Sequence, residues 1–328
     1  MNDDDTSIHH GNDKLFKVGF SDPVNTAALL RQELPPAVAD AVDWDKLHLL
    51  PGSFIDSQFR TSETDLLFSA TLTGSVCYFH LLFEHQSKLD PWLQLRLLRY
   101  MVRIWEEHLK QNPNAEKLPL VLPVVLAQNV VAWKVDVRFA SLMDIPEGLE
   151  AALDRYVPDF AYHLLQLAEK SYGTIEGTAT GILILRAMKA GRVGELLHQA
   201  LWDETLLSEV PSRILEMVLR YILGHDIDKD AFESRVQHIS NPQAKSTAMT
   251  LAQQFRQEGR QEGVQVGRGE GMVLSRQQSI LEFLESRFDR VPEGLKEAVE
   301  AITDDTKLRE LVRAAARCAD LECFAREL

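Results

Sequence analysis

The chain has 328 residues, enough for a sizeable hydrophobic core and for more than one domain. Its net charge of −14, from 49 acidic and 35 basic residues, excludes a protein that coats nucleic acid through bulk positive charge. The polar start MNDDDTSIHH is unlike a secretory signal, no apolar stretch is long enough to span a bilayer, and three cysteines are too few for a disulfide framework. We therefore expect a cytoplasmic protein with no membrane partner.

The first half of the chain alternates between helical and strand patterns. A disordered start is expected at residues 1–10. The elements predicted after it are a helix carrying Leu15, Phe16 and Phe20, a helix restarted by Ser21-Asp22-Pro23, strands at 65–72 and 76–84, an amphipathic helix from about Pro91 to Gln111 and a buried strand at 119–127. This order of elements indicates an α/β domain.

The second half is mostly helical, with turns expected at Gly191, Gly224 and Asn241-Pro242. Glycines then recur at every fourth position, at 259, 263, 267 and 271. On a helix they form one stripe, at a cost of about 1 kcal/mol per glycine relative to alanine. A stripe of this kind is compatible with close helix–helix contact and equally with a polar linker. We expect the C-terminal helical region to mediate homo-oligomerisation, most simply as a dimer.

The two predicted strands form a hairpin with two different faces. The Gly-Ser step of TGSV, residues 73–76, fits a two-residue loop in which glycine takes a positive φ. This loop makes one face wholly apolar, and we expect that face to be core. The other face carries Asp65 directly opposite Glu84, with His80 projecting toward them. Gln86 joins the same face if the strand continues.

Two carboxylates that face each other on a sheet repel, so a compensating cation is expected. Mg²⁺ takes oxygen ligands and is typically held by one or two carboxylates together with substrate phosphate. Asp65 and Glu84 are therefore candidate ligands for Mg²⁺, with Mn²⁺ or Ca²⁺ as alternatives, and the backbone carbonyl of His85 is a third candidate ligand. The structural alternative is a pair of solvated carboxylates at the frayed end of a hairpin.

The helix after the hairpin offers a basic surface. Arg96, Arg99 and Arg103 follow one another at i, i+3 and i+7, and Tyr100 lies beside them. Such a stripe can bind successive phosphates of DNA. The alternative is a solvated face whose arginines pair with acidic side chains of the same helix.

Several motifs together resemble a known family. They are NDKLFKVGFSDP, LPGSFID, ETDLLF, FEHQS, RLLRYMVRIWEEHLK and LPLVLPVVL, followed late in the chain by QEGRQEG and LEFLESRF. Their order is similar to that in the recombination-promoting nuclease, or YhgA-like transposase, family of the PD-(D/E)XK nuclease superfamily. The chain departs from this pattern at Asn12-Asp13, where the family commonly has His-Asp, and at AQNVVAW, where it usually has a Tyr-x-Gly-type turn.

The resemblance implies a fold. It implies a restriction-endonuclease-like α/β core, with a central mixed sheet flanked by helices, followed by a mostly α-helical C-terminal region. The regions expected are a nuclease domain at 11–205, a helical extension at 206–250, a glycine-striped linker helix at 251–275 and a small helical element at 276–328.

The resemblance also implies an activity, that of a Mg²⁺-dependent DNA endonuclease linked to recombination. Asp65 and Glu84 match the metal-binding acids, and Gln86 completes the catalytic set in the position where many nucleases of the superfamily carry lysine. Glutamine cannot supply positive charge, and the candidate sources of a cation are Lys14, Lys17 and Lys88. Two alternatives stay open, a non-catalytic DNA-binding or assembly protein on a nuclease scaffold and a mobile-element transposase.

Overall fold

The computed structural model describes residues 3–51, 65–84 and 90–328, with side chains from residue 11 onward except at 258 and 262. The chain divides into two compact units, Met1–Ala252 and Gln253–Leu328. Among the described residues, no helix combines the length and the hydropathy needed to cross a lipid bilayer.

A five-stranded mixed sheet forms the centre of the first unit. Its strands are β1 (Val42–Leu49), β2 (Leu66–Leu72), β3 (Ser75–Glu84), β4 (Leu120–Ala127) and β5 (His163–Gln166). They lie side by side in chain order. Strands β1, β2 and β3 pair antiparallel, whereas β4 runs parallel to β3 and β5 runs parallel to β4. A parallel β3–β4 pair requires a crossover connection, and a helix supplies it.

Helices flank this sheet and make up the C-terminal region, as the sequence predicts. They are α1 (Asp3–Phe20), α2 (Pro23–Glu33), α3 (Pro36–Ala39), α4 (Leu93–Gln111), α5 (Glu150–Leu153), α6 (Ala179–Val193), α7 (Glu204–Glu209), α8 (Ser212–Leu223), α9 (Lys229–Gln237), α10 (Pro242–Phe288), α11 (Glu293–Glu300), α12 (Asp305–Arg317) and α13 (Leu321–Ala325). Helix α1 begins at Asp3, within the stretch for which the composition predicts disorder.

Local sequence signals explain several helix ends. The restart between α1 and α2 is confirmed, because the side chain of Asp22 caps α2 by accepting a hydrogen bond from the amide of Val24 at 2.9 Å. The turn predicted at Gly191 is wrong, since this glycine lies inside α6, which ends at Gly194 with a positive φ of 74°. A Cβ at Gly191 would stand 2.0 Å from the hydroxyl oxygen of Tyr221, so close packing explains this glycine.

The hairpin loop differs from the predicted one. The structure pairs Leu72 with Ser75 and makes Thr73-Gly74 the loop, so the predicted register is wrong by two residues. Thr73 has φ 46° and Gly74 has φ 89°. Positive φ at both central positions is the signature of a type I′ turn, whose twist matches that of the flanking strands. A shift of two residues leaves every side chain on its predicted face, because the side-chain period of a strand is two.

The two faces of the sheet are covered by different helices. The apolar face carries Phe68, Phe79 and Phe83, which belong to one large core together with α1 and α6. The ring of Phe16 from α1 stacks on Phe83 with 5.0 Å between centroids. The opposite face packs against α4 in two smaller apolar clusters, one of which includes Leu82. The prediction of a wholly apolar core face is therefore confirmed.

The second unit has its own hydrophobic core. It contains nine buried residues: Ile280, Leu284, Val291, Val299, Leu308, Leu311, Ala315, Cys318 and Phe324. Helix α10 continues through the glycine stripe. Apart from its chain neighbours and the nearby backbone of its own helix, a Cβ added at any of the four stripe glycines would meet no described atom within 4 Å.

Candidate metal and nucleic-acid site

The site begins where β2 starts and β3 ends, on the face of the sheet that α4 covers. Asp65 lies one residue before β2, and Glu84 is the last residue of β3. Extending the observed register by one residue puts Asp65 opposite Leu82. Glu84 is therefore a diagonal neighbour, at about 7–8 Å between Cα atoms in an ordinary antiparallel pair. The predicted direct pairing of the two carboxylates is wrong, but both occupy the same face.

His80 contributes to the site from the middle of β3. Its side chain is buried, and its Nε2 lies 3.9 Å from Oδ2 of Asp65. The ring of Tyr100 from α4 lies against it, with 4.7 Å between ring centroids. The expectation that His80 projects toward the carboxylates is thus confirmed for Asp65.

Arg96 supplies a positive charge that pairs with Glu84. Its Nη2 donates a short hydrogen bond to Oε1 of Glu84, and its Nη1 lies 3.5 Å from Oδ2 of Asp90. The side chains of Arg96 and Glu84 are 20% and 7% exposed, so water screens this ion pair only weakly. The repulsion expected between two carboxylates is therefore offset at Glu84 by an arginine from the neighbouring helix.

Several polar atoms of this site lack hydrogen-bond partners among the residues that the structure describes. They are both carboxylate oxygens of Asp65, both ring nitrogens of His80, Oε2 of Glu84 and Nε of Arg96. Buried polar atoms are almost always hydrogen-bonded, because leaving one unpaired costs about 1–3 kcal/mol. A cluster of four such residues on one face is typical of a site built for something other than stability.

The metal-ligand chemistry available here is that of carboxylates. In the described ranges, no three or more His, Cys, Asp or Glu side chains are grouped so as to hold a metal ion. Asp65 and Glu84 nevertheless offer unpaired carboxylate oxygens on one face, a donor set that suits a hard divalent cation completed by water and phosphate. Three predicted site residues, His85, Gln86 and Lys88, lie outside the described residues.

The predicted basic stripe on α4 divides into residues with different surroundings. Arg96 is held in the site, Arg99 is exposed, and Arg103 pairs with Glu106 at 2.6 Å on the helix surface. Tyr100, predicted to contact DNA, is only 4% exposed in this structure. The amphipathic phase of α4 turns Tyr100 inward, where it supports His80.

The lysines predicted as an alternative source of charge lie elsewhere. Lys14 and Lys17 are exposed on α1. The neighbouring Leu15 and Phe16 pack into the core on the apolar face of the sheet. This helix therefore covers the face opposite to the one that carries Glu84.

A buried polar network supports the end of β3, and the sequence did not reveal it. The amide of Gln128 donates to the carbonyl of Glu84 at 2.9 Å and thereby continues the β3–β4 pairing. The Gln128 side chain donates to Oδ1 of Asn12 at 2.9 Å, and the Tyr221 hydroxyl donates to the same oxygen at 2.7 Å. Asn12, one of the departures from the family pattern, is thus a structural acceptor that ties α1 to β4 and α8.

Two phenols on the α4 side of the sheet stay neutral over the physiological range. Burial raises the pKa of Tyr162 to about 12 and also raises the pKa of Tyr78. The Tyr78 hydroxyl forms a hydrogen bond with Nδ1 of His108 at 3.0 Å. Neither phenol is therefore a source of negative charge for a metal ion near pH 7.

A match to a protein-family model identifies the family of the chain. Residues 9–210 match the model of the family described as "Putative transposase, YhgA-like". The chain belongs to this family. The match includes the whole sheet and the candidate site, so the recognition made from motif order is confirmed.

Some curated relatives of this YhgA-like protein are named as nucleases, and others are named as inactive nuclease-like proteins. It is 34% identical to recombination-promoting nuclease RpnC of Escherichia coli K12, over 35% of this chain and 38% of that relative. It is 26% identical to recombination-promoting nuclease RpnA of the same strain, over 75% of this chain and 84% of RpnA. It is 25% identical to the inactive recombination-promoting nuclease-like protein RpnE, also of that strain, over 88% of this chain and 94% of RpnE. No solved structure matches the chain.

Proposed function

We propose that this protein is a metal-dependent DNA endonuclease with a restriction-endonuclease-like core, acting in DNA recombination. The proposal is supported chiefly by the unpaired oxygens of Asp65 and Glu84, which share one face of an antiparallel hairpin. The order of N-terminal helices, three antiparallel strands, a crossover helix and parallel strands is the order expected of such a core. The names of RpnC and RpnA agree with the nuclease activity.

Asp65 and Glu84 would hold Mg²⁺, or Mn²⁺ or Ca²⁺ in its place, with the carbonyl of His85 as a further ligand. When bound, such a cation lowers the pKa of a water ligand and neutralises charge on the scissile phosphate. His80 lies 3.9 Å from Asp65 and limits the positions that its carboxylate can take. Gln86 would orient the attacking water through its amide, which neither takes up a proton nor carries charge.

The proposed reaction is phosphodiester hydrolysis. The oxygen of a water attacks phosphorus, the bond from phosphorus to one bridging oxygen breaks, and the leaving oxygen takes up a proton. The products are one phosphate end and one hydroxyl end. Arg99 and Arg103 on the outer side of α4 would bind phosphates of the DNA backbone, which fixes the position of the duplex without reading its sequence.

A plasmid-nicking assay tests this function. Supercoiled DNA is incubated with the protein in Mg²⁺, in Mn²⁺ and in EDTA, and the same reactions are run with Asp65→Ala. We expect nicking with metal and none in EDTA or with Asp65→Ala. The matched control is Asp43→Ala, which removes a surface carboxylate that pairs with Lys46 at 2.7 Å and should leave cleavage unchanged. Equal cleavage by Asp65→Ala and the wild type would refute the site.

A non-catalytic DNA-binding or assembly role is the second candidate. It is favoured by RpnE, an inactive nuclease-like relative that aligns with 88% of this chain. The ion pair between Arg96 and Glu84 also suits a scaffold, because it neutralises one of the two proposed ligands. DNA binding with no cleavage under any metal would support this candidate over the nuclease.

Association of two copies through the glycine stripe of α10 is a separate proposal. Each stripe glycine has open space at its Cβ position among the described atoms, which leaves room for a second helix to approach closely. Gly263→Leu would fill that space. Sedimentation of the full chain should then show a smaller oligomer for the variant than for the wild type, and an unchanged oligomer would remove the proposal.

A further inference from the structure

We propose that Arg96 is a catalytic residue, the cation that contacts the scissile phosphate in place of a lysine at position 86. This inference rests on the proposed nuclease function and adds a residue to it. Arg96 lies in the first turn of α4, the helix that follows the hairpin.

The position of Arg96 meets the geometric requirement for this role. Its Nη2 is bound to Oε1 of Glu84, while Oε2 of the same carboxylate has no partner among the described residues. Glu84 can therefore keep its arginine and still offer an oxygen to a divalent cation. Nε of Arg96 also has no partner in the described part of the chain. A guanidinium has five N–H donors in a planar fork, so donors are left over for phosphate oxygens.

The helix dipole of α4 makes the position of Arg96 electrostatically unfavourable if its role is only structural. Positive charge in the first turn of a helix is disfavoured by the helix dipole, whose N-terminal end is itself positive. The first turn of α4 contains no acidic residue. Arg96 is kept there by Glu84 and Asp90, which lie outside the helix. The positive end of the helix and the arginine together form a corner that favours an anion such as a phosphate.

Two simpler roles for Arg96 make different predictions. If the arginine only holds Glu84 in place, removing it should weaken both metal binding and cleavage. If it only competes with metal for Glu84, removing it should strengthen metal binding and speed cleavage. A phosphate-binding arginine predicts a third combination, because removing one positive charge beside the ligands favours metal binding while the phosphate loses its partner.

The experiment combines two measurements on the full chain. Calorimetric titration with Mn²⁺, without DNA, gives the metal affinity of the wild type, Arg96→Gln and Arg96→Lys. Plasmid cleavage at saturating Mn²⁺ gives the rate. For Arg96→Gln we expect several-fold tighter Mn²⁺ binding and a rate lower by a factor on the order of 10²–10³, the usual cost of losing one transition-state donor. Arg96→Lys should recover part of the rate, because a point charge replaces a fork.

Chemical rescue and a charge control complete the design. Guanidinium ion at millimolar concentration should restore part of the cleavage lost in Arg96→Ala. Because an added guanidinium can also refill a structural pairing with Glu84, the Mn²⁺ affinity of Arg96→Gln is the measurement that separates the two roles. The control is Lys110→Gln, which removes the charge of an exposed lysine in the last turn of the same helix and should change neither measurement.

The outcomes separate failure of this inference from failure of the proposed function. If Arg96→Gln cleaves DNA at the wild-type rate, the role of Arg96 is overturned and the proposed nuclease function stands. Weaker Mn²⁺ binding by Arg96→Gln would assign the arginine to holding Glu84 and overturn the catalytic role. No wild-type cleavage with any metal would overturn the nuclease, and with it a catalytic Arg96.

Discussion

The two faces of the β2–β3 hairpin are made by the same two strands, yet they obey different rules. On the apolar face, Phe68 and Phe79 are fully buried in one continuous core. On the other face, His80 and Glu84 are equally hidden from water, but each keeps polar atoms without partners among the described residues. The apolar face stabilises the fold throughout, whereas the other face combines stabilising apolar clusters under α4 with a site whose unpaired polar atoms oppose folding.

The difference indicates where this fold gives up stability for function. Burying an apolar ring stabilises the sheet through the loss of exposed area, whereas burying an unpaired carboxylate or imidazole costs free energy. Because successive side chains of β3 point to opposite faces, both effects occur at adjacent residues of this strand. The comparison can be tested by substitutions at neighbouring positions of β3, which should change the free energy of unfolding in opposite directions.

The largest change in stability is expected on the apolar face. Phe79→Ala removes a fully buried ring that stacks on Trp44 with 5.7 Å between centroids. The free energy of unfolding should fall by about 3–5 kcal/mol, because the substitution loses apolar burial and leaves a cavity. Urea denaturation followed by circular dichroism measures the change. Val76→Ala, at an exposed position of the same strand, is the control and should stay within about 0.5 kcal/mol.

The opposite sign is expected one residue further along β3. His80→Leu replaces a buried ring, whose two nitrogens lack partners in the described residues, by an apolar side chain of similar size. The free energy of unfolding should rise by about 1–3 kcal/mol, since the unpaired polar atoms are removed. Cleavage should fall, because Asp65 loses the neighbour beside it. The measurement is the urea midpoint.

A second histidine, which is exposed and hydrogen-bonded, provides a control for this prediction. His48 on β1 is partnered, with its Nε2 2.7 Å from the hydroxyl oxygen of Ser69. His48→Leu therefore removes a hydrogen bond that is already made and should give no gain in stability. A gain at His48 equal to that at His80 would mean that unpaired atoms are not the cause.

The comparison also shows what the sequence could predict. Alternation along 65–72 and 76–84 was enough to assign both faces, because a face depends only on whether a position is odd or even. The register needed one more choice, between Gly-Ser and Thr-Gly as the loop. The structure uses Thr73, a β-branched residue at a positive φ that sequence patterns rarely favour. The two choices differ by two residues, so the faces were right while the partner of Asp65 was wrong.

The site was predictable only in part, for a reason of packing. Asp65, Glu84 and His80 share a face that follows from the strand alone. Arg96 could be placed on a basic stripe, but its pairing with Glu84 depends on how α4 crosses the sheet, a distance in space that no local pattern contains. The same phase of α4 turned Tyr100 inward, against His80.

A smaller loss is expected where the polar face is satisfied. Tyr78→Phe removes the hydroxyl that forms a 3.0 Å hydrogen bond with Nδ1 of His108 and keeps the ring in place. The free energy of unfolding should fall by about 0.5–1.5 kcal/mol, the net value of one such bond. Denaturation in urea measures it beside His80→Leu. A gain in stability for Tyr78→Phe would show that the whole polar face, and not the site alone, opposes folding.

The smallest effect on stability at neutral pH is expected from ionisation of the Cys77 thiol, which lies on the apolar face. Burial raises the pKa of its thiol to about 11 from an ordinary value of 9.0, because the charged thiolate is disfavoured in the core. The unfolded chain therefore ionises first as the pH rises. The stabilisation from this group is fully present below about pH 9 and is lost between about pH 9 and pH 11. The urea midpoint should decrease from pH 7.5 to pH 10.5, and this decrease should be larger in the wild type than in Cys77→Ala, since only the wild type has this thiol. Equal decreases would mean that the Cys77 thiol contacts water in the folded protein. The apolar face would then be more open to water than the burial of the neighbouring Phe79 indicates.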